Sequence, residues 1–556
     1  MKTIKNIFSF TAVIGLLMTG VHPSGGVSTE DSSLTDEPYP LWAGLIGQLN
    51  PGSNIMIVQQ GSSIQDALDV AVPGDVIYIE PGIYREALEI GQSDIQVIGL
   101  PGKEGEAVIL ENPGSHKKAI ERKGGVQNTR FFNIQFAGFS GPGVIIHPLD
   151  PGQPDQGADT LNMTREELGN GIAHYTFEVD LGSEEFDKIR IHRVVKERNP
   201  YEPVKTRGDV FMVHAAIQDF DDIYLRVGAE EINEKTSSPV YLASHKIDVW
   251  GIDLAWTLVP LETTDFSFMK GWGMERDVDH TLAAMTIARL IRGLTGQGYD
   301  RMNLLGYCCT ANLVYAAAGE ETQMPRVQCN LKGIIPVEGY MMHEPVPDNA
   351  QWKKNVCAGA EAIKAMLDAG MYNYPDGMGL LYMAQLALEK PEEVSAIPPF
   401  DEMGLTNYQA MLVAGFSPAE NPDTPYWHYF GGTMEDGFLY ADQDRFIRMG
   451  MNLNPHMPLE HLYDSYACGC DSPEHETGID DHLGDIMLPI LYLGAEGGVG
   501  TYGIYSTGLT SSRDITHHIV SMDVDRAIDY GHADIWMGYE ADELMWKYLQ
   551  KWLADH

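Results

Sequence analysis

The residues with the most chemical promise lie in MNLLGYCCTANLVYAAAG, residues 302–319. An apolar run ending at Gly306 leads into a helix-forming stretch, so the segment reads as a strand, a sharp turn and a helix, with Cys308 at the turn. A thiolate held there is intrinsically nucleophilic and needs less help from a base than an alcohol does. To attack a carbonyl it still requires a base for its proton, an acid to orient that base, and N–H donors for the oxyanion. The competing fate of such a cysteine is simple packing, since free cysteines are mostly buried. Thr310, two residues on, is β-branched and must be housed where a strand and a helix come close.

The elements that would carry this turn begin near residue 171. HYTFEVDL and DKIRIHRVV read as antiparallel strands, and DVFMVHAA and KIDVWGIDLA as buried ones. DVDHTLAAMTIARLIRG is a helix with Val278, Leu282, Met285 and Ala288 on one face. MNLLGY, KGIIPVE, LPILYLGAE and THHIVSMD supply further strands. Long apolar strands separated by helices imply a mostly parallel sheet covered on both faces. Between KGIIPVE and LPILYLGAE lies a helical insertion, about residues 340–485, with MGLLYMAQLALEK as its clearest helix. Its Met341, Met342, Met378, Tyr382, Met383 and Met451 suit either a lid over an apolar acyl group or the lid's own core.

Upstream the pattern differs. Residues 50–148 alternate short β-branched strands with Gly, Pro, Asn and Asp turns, as in stacked β coils. SSIQDALDVA is a short amphipathic helix within them. Residues 149–170, rich in Pro, Gly, Asp and Asn, read as a linker, so residues 171–556 form the second unit. Asn162-Met163-Thr164 is a glycosylation sequon.

At 556 residues the chain is too long for one compact core. Its net charge of −42 argues against nucleic acid or an anionic membrane surface as a partner. Lys2 and Lys5 precede the apolar stretch IFSFTAVIGLLMTGV and the small residues after it, so residues 1–26 read as a signal peptide. That places the protein outside the cell or in a periplasm, with an uncleaved anchor as the other reading. In an oxidising compartment Cys329 and Cys357 bracket a loop suited to one disulfide, while Cys468 and Cys470 are too close to pair with each other. No Cys/His spacing of the zinc type occurs, so neither a metal nor another cofactor is expected.

PGDVIYIEPGIYRE resembles the opening of right-handed parallel β-helix proteins of the pectate-lyase-like group. That resemblance implies a short β-solenoid, with carbohydrate contact as its functional option and a packing or spacing role as the simpler one. DVWGIDLAW, TDFSFMKGWGM, the helix, GYCCTA and GHADIWMGYEADELMWKYLQKWL together resemble the α/β hydrolases, closest to the acid-lipase branch. Dienelactone hydrolases and polyhydroxyalkanoate synthases likewise carry a GYC turn. The resemblance departs from the acid-lipase pattern at Cys308 for serine, Thr310 for glycine, Ala215 for the glycine of His-Gly, and Ala255-Trp256 for Arg-Gly.

By this resemblance Cys308 takes the nucleophile's place and His532, before the C-terminal helix, the base's. Glu496, after LPILYLGA, takes the acid's, with Glu338 on the preceding strand as the alternative. Backbone N–H groups of Ala216 and Cys309 would serve the oxyanion. His214 would support that loop. The implied activity is an exported esterase, lipase-like enzyme or acyltransferase acting on a small-molecule or lipid ester with an apolar acyl part. The alternative is an inactive descendant that keeps the fold for binding.

Overall fold

The computed structural model describes residues 54–556 apart from 103–105, 115, 141–145, 148–161, 346–349, 375 and 418–426. The expected signal peptide and most of the expected linker lie outside these residues.

A ten-stranded sheet organises the chain from residue 162 onward. Its strands are β1 (Asn162–Gly169), β2 (Ile172–Asp180), β3 (Lys188–Asn199), β4 (Gly208–Val213), β5 (Ile247–Asp253), β6 (Met302–Tyr307), β7 (Leu331–Val337), β8 (Ile490–Ala495) and β9 (Ile515–Val520). They lie in the order β1-β2-β3-β5-β4-β6-β7-β8-β9, with the short Glu202–Pro203 strand on β3 beside that path. From β5 to β9 every pairing is parallel; β1, β2, β3 and β5 pair antiparallel. Residues 162–169 are therefore not linker but the sheet's edge. Only Met163 of β1 is buried, and a strand at a wet edge tolerates the polar composition that reads as loop.

Alternate residues of β4 show how the sheet is covered. Phe211 and Val213 join one apolar core with helices α2 (Met274–Leu294) and α3 (Thr310–Gln323). Val210 and Met212 join the other, with α1 (Ser238–Ser244) and α9 (Lys547–Asp555). Two buried faces explain why these strands read as continuous apolar runs.

The segment before β1 forms three small parallel sheets. Ile55–Val58, Val76–Ile79, Gln96–Gly99, Arg130–Phe132 and Ile146–His147 pair in that order. Gly82–Tyr84, Val108–Glu111 and Ile134–Ala137 form a second, and Leu88–Ile90 with Ile120–Arg122 a third. Met56, Val58, Ile77 and Val97 point inward to a core of their own. Ile57, Tyr78 and Ile98, one residue out of phase, lie in the same core as Ala288 and Ile291 of α2.

Between β7 and β8 stand helices α4 (Ala350–Asp368), α5 (Asp376–Glu389), α6 (Asn407–Phe416), α7 (Gln443–Gly450) and α8 (Leu459–Cys470). A disulfide joins Cys357 of α4 to Cys470 of α8. The bridge is thus not Cys329–Cys357: Cys329 sits before β7, buried, its thiol 3.5 Å from the Glu321 carbonyl. No helix among the described residues is long and apolar enough to cross a membrane.

Candidate active site

Cys308 joins β6 to α3 with φ of +62°, a left-handed conformation that costs a non-glycine residue and persists only where the surroundings hold it. Its N–H donates to the Val337 carbonyl at 3.0 Å. Gly306 makes the turn sterically possible, because a Cβ there would lie 2.2 Å from the Thr310 carbonyl oxygen. Thr310 does not open the turn. Its Oγ1 accepts the Tyr307 N–H at 3.1 Å and lies 3.0 Å from the Tyr307 carbonyl and 3.3 Å from that of Val213. The hydroxyl stitches the turn to itself and to the end of β4.

Glu338 follows β7 at φ +49° and is 1% exposed. Its carboxylate accepts N–H groups from Ala495 at 2.6 Å, Val499 at 2.8 Å and Gly500 at 3.2 Å. The remaining bond goes to His532 Nδ1, at 2.8 Å. Glu496 is half-buried, and its backbone N–H continues the ladder to Val520 at 2.8 Å. The structure therefore brings Glu338, not Glu496, to His532. The physical reason is the bend at Glu338, which carries its carboxylate across the end of β8, together with Gly498, which leaves that space free.

His532 is 2% exposed. Tyr307 stacks on it at 4.7 Å, and Trp427 lies against it at 4.9 Å. With Nδ1 held by Glu338, Nε2 has no hydrogen-bond partner of ordinary geometry, and Cys308 is the group it interacts with. Burial opposes the imidazolium, but the Cys308 thiolate and Glu338 outweigh it and push its pKa up to about 9. In return the Cys308 thiol is held well below the ordinary thiol range by the Cys309 thiol, against burial, with help from His532 and the Cys309 N–H. Cys309 is pushed well up by the same neighbour and by burial. These directions favour a thiolate at Cys308 beside an imidazolium at His532, with the proton of the thiol pair on Cys309.

Ala216 and Cys309 both line the cavity that Cys308 and His532 face. The Cys309 N–H interacts with the Cys308 sulfur, whereas the Ala216 N–H interacts with the neighbouring Cys309 sulfur, so the two donors border the same end of the cavity on different thiols. His214, fully buried, fixes this loop: Nδ1–H donates to the Ala215 carbonyl at 2.8 Å and Nε2 accepts the Leu254 N–H at 3.0 Å. Those bonds specify its neutral form, and burial depresses its pKa.

The cavity has a volume of about 310 Å³ and is lined by Ile217, Leu380, Phe446, Met449, Leu453 and Met457 among others. Met341, Met342, Met378, Tyr382, Met383 and Met451 are not on its wall. Met341 is core, and Met378 and Tyr382 are exposed at the surface. Sequence reasoning missed Trp427 and Tyr429, which cap the imidazole from the lid, and Gly498; the Gly-Gly after Glu496 was the one available signal.

No family model and no curated protein matches the chain. Solved structures do. A protein of Sulfolobus solfataricus assigned as a lipase is 16% identical with a TM-score of 0.47, covering 71% of this chain and 99% of its own. A proline iminopeptidase of Mycobacterium smegmatis is 12% identical with a TM-score of 0.33, covering 71% and 98%. A monoacylglycerol lipase of Paleococcus ferrophilus is 12% identical with a TM-score of 0.33, covering 64% and 96%. The sheet order, the positive-φ turn after β6 and the acid–histidine pair beyond β7 and β9 are the α/β-hydrolase arrangement.

Proposed function

We propose that this chain hydrolyses or transfers the acyl group of an ester whose acyl part is apolar, with Cys308 as nucleophile. The observation that carries this reading is His532, clamped by Glu338 at 2.8 Å through Nδ1 so that Nε2 is left to the thiol. A packed, inert cysteine needs no such partner.

The Cys308 thiolate attacks the ester carbonyl carbon, and the carbonyl electrons move onto oxygen, where the N–H groups of Cys309 and Ala216 receive them. When the tetrahedral intermediate collapses, the carbon–oxygen bond to the alcohol breaks and His532 gives its Nε2 proton to the departing alkoxide. A thioester to Cys308 remains. Neutral His532 then takes a proton from water, or from another alcohol, as that acceptor attacks. Collapse returns the thiolate–imidazolium pair. The apolar wall of the cavity is suited to the acyl chain.

The N-terminal segment we read as a short parallel β-helix that serves packing. Its three parallel sheets share one strand order along the chain, and one outer face lies against α2. Export remains the reading that best suits Lys2, Lys5 and the apolar stretch after them.

The test is incubation with p-nitrophenyl butyrate, followed by nitrophenol release and intact mass. Release together with a butyryl adduct mapped to Cys308, both lost in Cys308→Ala, supports the assignment. Release without such an adduct under acid quench, or release unchanged in Cys308→Ala, sinks it.

A further inference from the structure

A second group of titratable side chains lies away from the acyl cavity and takes no part in the chemistry above. His174 on β2 and His192 on β3 belong to neighbouring antiparallel strands, where Thr176 is the residue opposite His192. Residues two apart share a face, so both imidazoles leave the sheet on one side. They are 4% and 2% exposed. His174 Nε2 stands 2.9 Å from His192 Nδ1.

The outer nitrogens of the pair each meet a carboxylate. His192 Nε2 is 3.0 Å from Asp253 Oδ2, off the line of an ideal hydrogen bond, and His174 Nδ1 is 3.9 Å from Glu166 Oε2. A carboxylate beside an imidazole nitrogen draws the proton to that nitrogen. With the His192 proton on Nε2, its Nδ1 turns a lone pair toward His174 Nε2, a contact that either a ring proton or a cation would satisfy. A third donor is at hand. One nitrogen of each imidazole and one carboxylate oxygen of Asp221 lie within 4.8 Å of one another. Asp221 Oδ2 accepts from Arg226 Nε at 2.9 Å, whereas its Oδ1 is buried with no hydrogen-bond partner.

We propose that His174, His192 and Asp221 bind one first-row divalent cation, with zinc best matched to two imidazoles and a carboxylate. Asp253, 3.0 Å from His192 Nε2, supplies an outer carboxylate to that imidazole, while Glu166 lies farther out, 3.9 Å from His174 Nδ1. Zinc–nitrogen bonds of about 2.0–2.1 Å at a tetrahedral angle place the nitrogens roughly 3.3 Å apart, so the imidazoles need to part by only a few tenths of an ångström. Arg226 and Arg190 are the cationic side chains nearby. Each is already paired: Arg226 with Asp221 and Glu166, Arg190 with Asp253 and Glu178. The cation would be structural. Asp221 opens the helical turn Asp221–Leu225, four residues after Ile217, just beyond the loop that carries the Ala216 N–H, and the metal would tie the end of that loop to β2 and β3.

The full chain, stripped with a chelator, is titrated with zinc by calorimetry and with cobalt(II) by visible absorption. The site predicts one equivalent bound, a rise in melting temperature, and cobalt bands lacking the thiolate charge-transfer absorption that Cys308 and Cys309 would give. His192→Ala and Asp221→Asn abolish binding, Asp253→Asn weakens it by about 10- to 100-fold, and Cys308→Ala with Cys309→Ala leaves it intact. Circular dichroism confirms that each variant is folded, and His174→Gln replaces His192→Ala if that variant is not. Absence of saturable binding, as for a histidine pair sharing only a proton, overturns the proposal. So does binding that survives in Asp221→Asn and the histidine variant, or that vanishes with the two thiols.

Discussion

A Cβ on residue 498 would lie 2.0 Å from Glu338 Oε2 and 3.0 Å from His532 Cα. Gly498 is therefore the space through which Glu338 reaches His532. Gly498→Ala forces the carboxylate away and frees the imidazole to rotate. Ester turnover falls by about 10²-fold or more, and the melting temperature falls too, because the buried carboxylate is displaced from its N–H donors; steady-state kinetics on protein shown folded by circular dichroism will read the first effect.

Glu338→Gln keeps the shape of the side chain but removes the charge that orients and stabilises the His532 imidazolium. The expected loss in kcat is about 10²- to 10⁴-fold, with a stability cost of about 1–3 kcal/mol from the mismatched buried hydrogen bonds. Glu496→Gln, made in parallel, leaves kcat within about twofold, as expected for a half-buried carboxylate that is not the one bonded to His532. A reversal of the two results would return the acid's role to residue 496.

Thr310→Val preserves the shape at the turn and deletes its hydroxyl. The Tyr307 N–H is then buried without an acceptor, which costs about 1–3 kcal/mol and appears as a lower melting temperature. Residual turnover in this variant tracks how far Cys308 moves from His532.

The pH dependence follows from two groups displaced in opposite directions. The thiolate is lost as pH falls through the depressed Cys308 value, and the imidazolium is lost as pH rises through about 9. Ester turnover should hold between these limits and decline above about pH 9, where no proton is left for the leaving alkoxide. Alkylation by iodoacetamide needs only the thiolate, so its rate shows no alkaline decline. Cys308 should also react well before Cys329 and Cys468, which are buried and whose thiols burial pushes up. Peptide mapping after brief labelling gives that order.

Much of this architecture was legible in the residues themselves. Runs such as MNLLGY and KGIIPVE are apolar at most positions because both sheet faces are covered, and the α2 repeat is long enough to be unmistakable. β1 was not legible, because an edge strand needs few apolar residues. The acid could not be chosen from sequence either. Both carboxylates end a strand, and only the bend at Glu338 and the missing side chain at Gly498 distinguish them. The Cys357–Cys470 bridge and the His174–His192–Asp221 group depend on residues that only tertiary packing brings together.

Ile57, Tyr78 and Ile98 share one apolar core with Ala288 and Ile291 of the helix behind the large sheet. The two halves of the chain are thus coupled through a shared apolar contact, although the N-terminal half also has a core of its own. Heat should melt them in one cooperative transition, and a truncation that starts at β1 would leave α2 with a bare oily flank. A chain pared down to the large sheet would need polar side chains on the outer face of that helix to stay soluble.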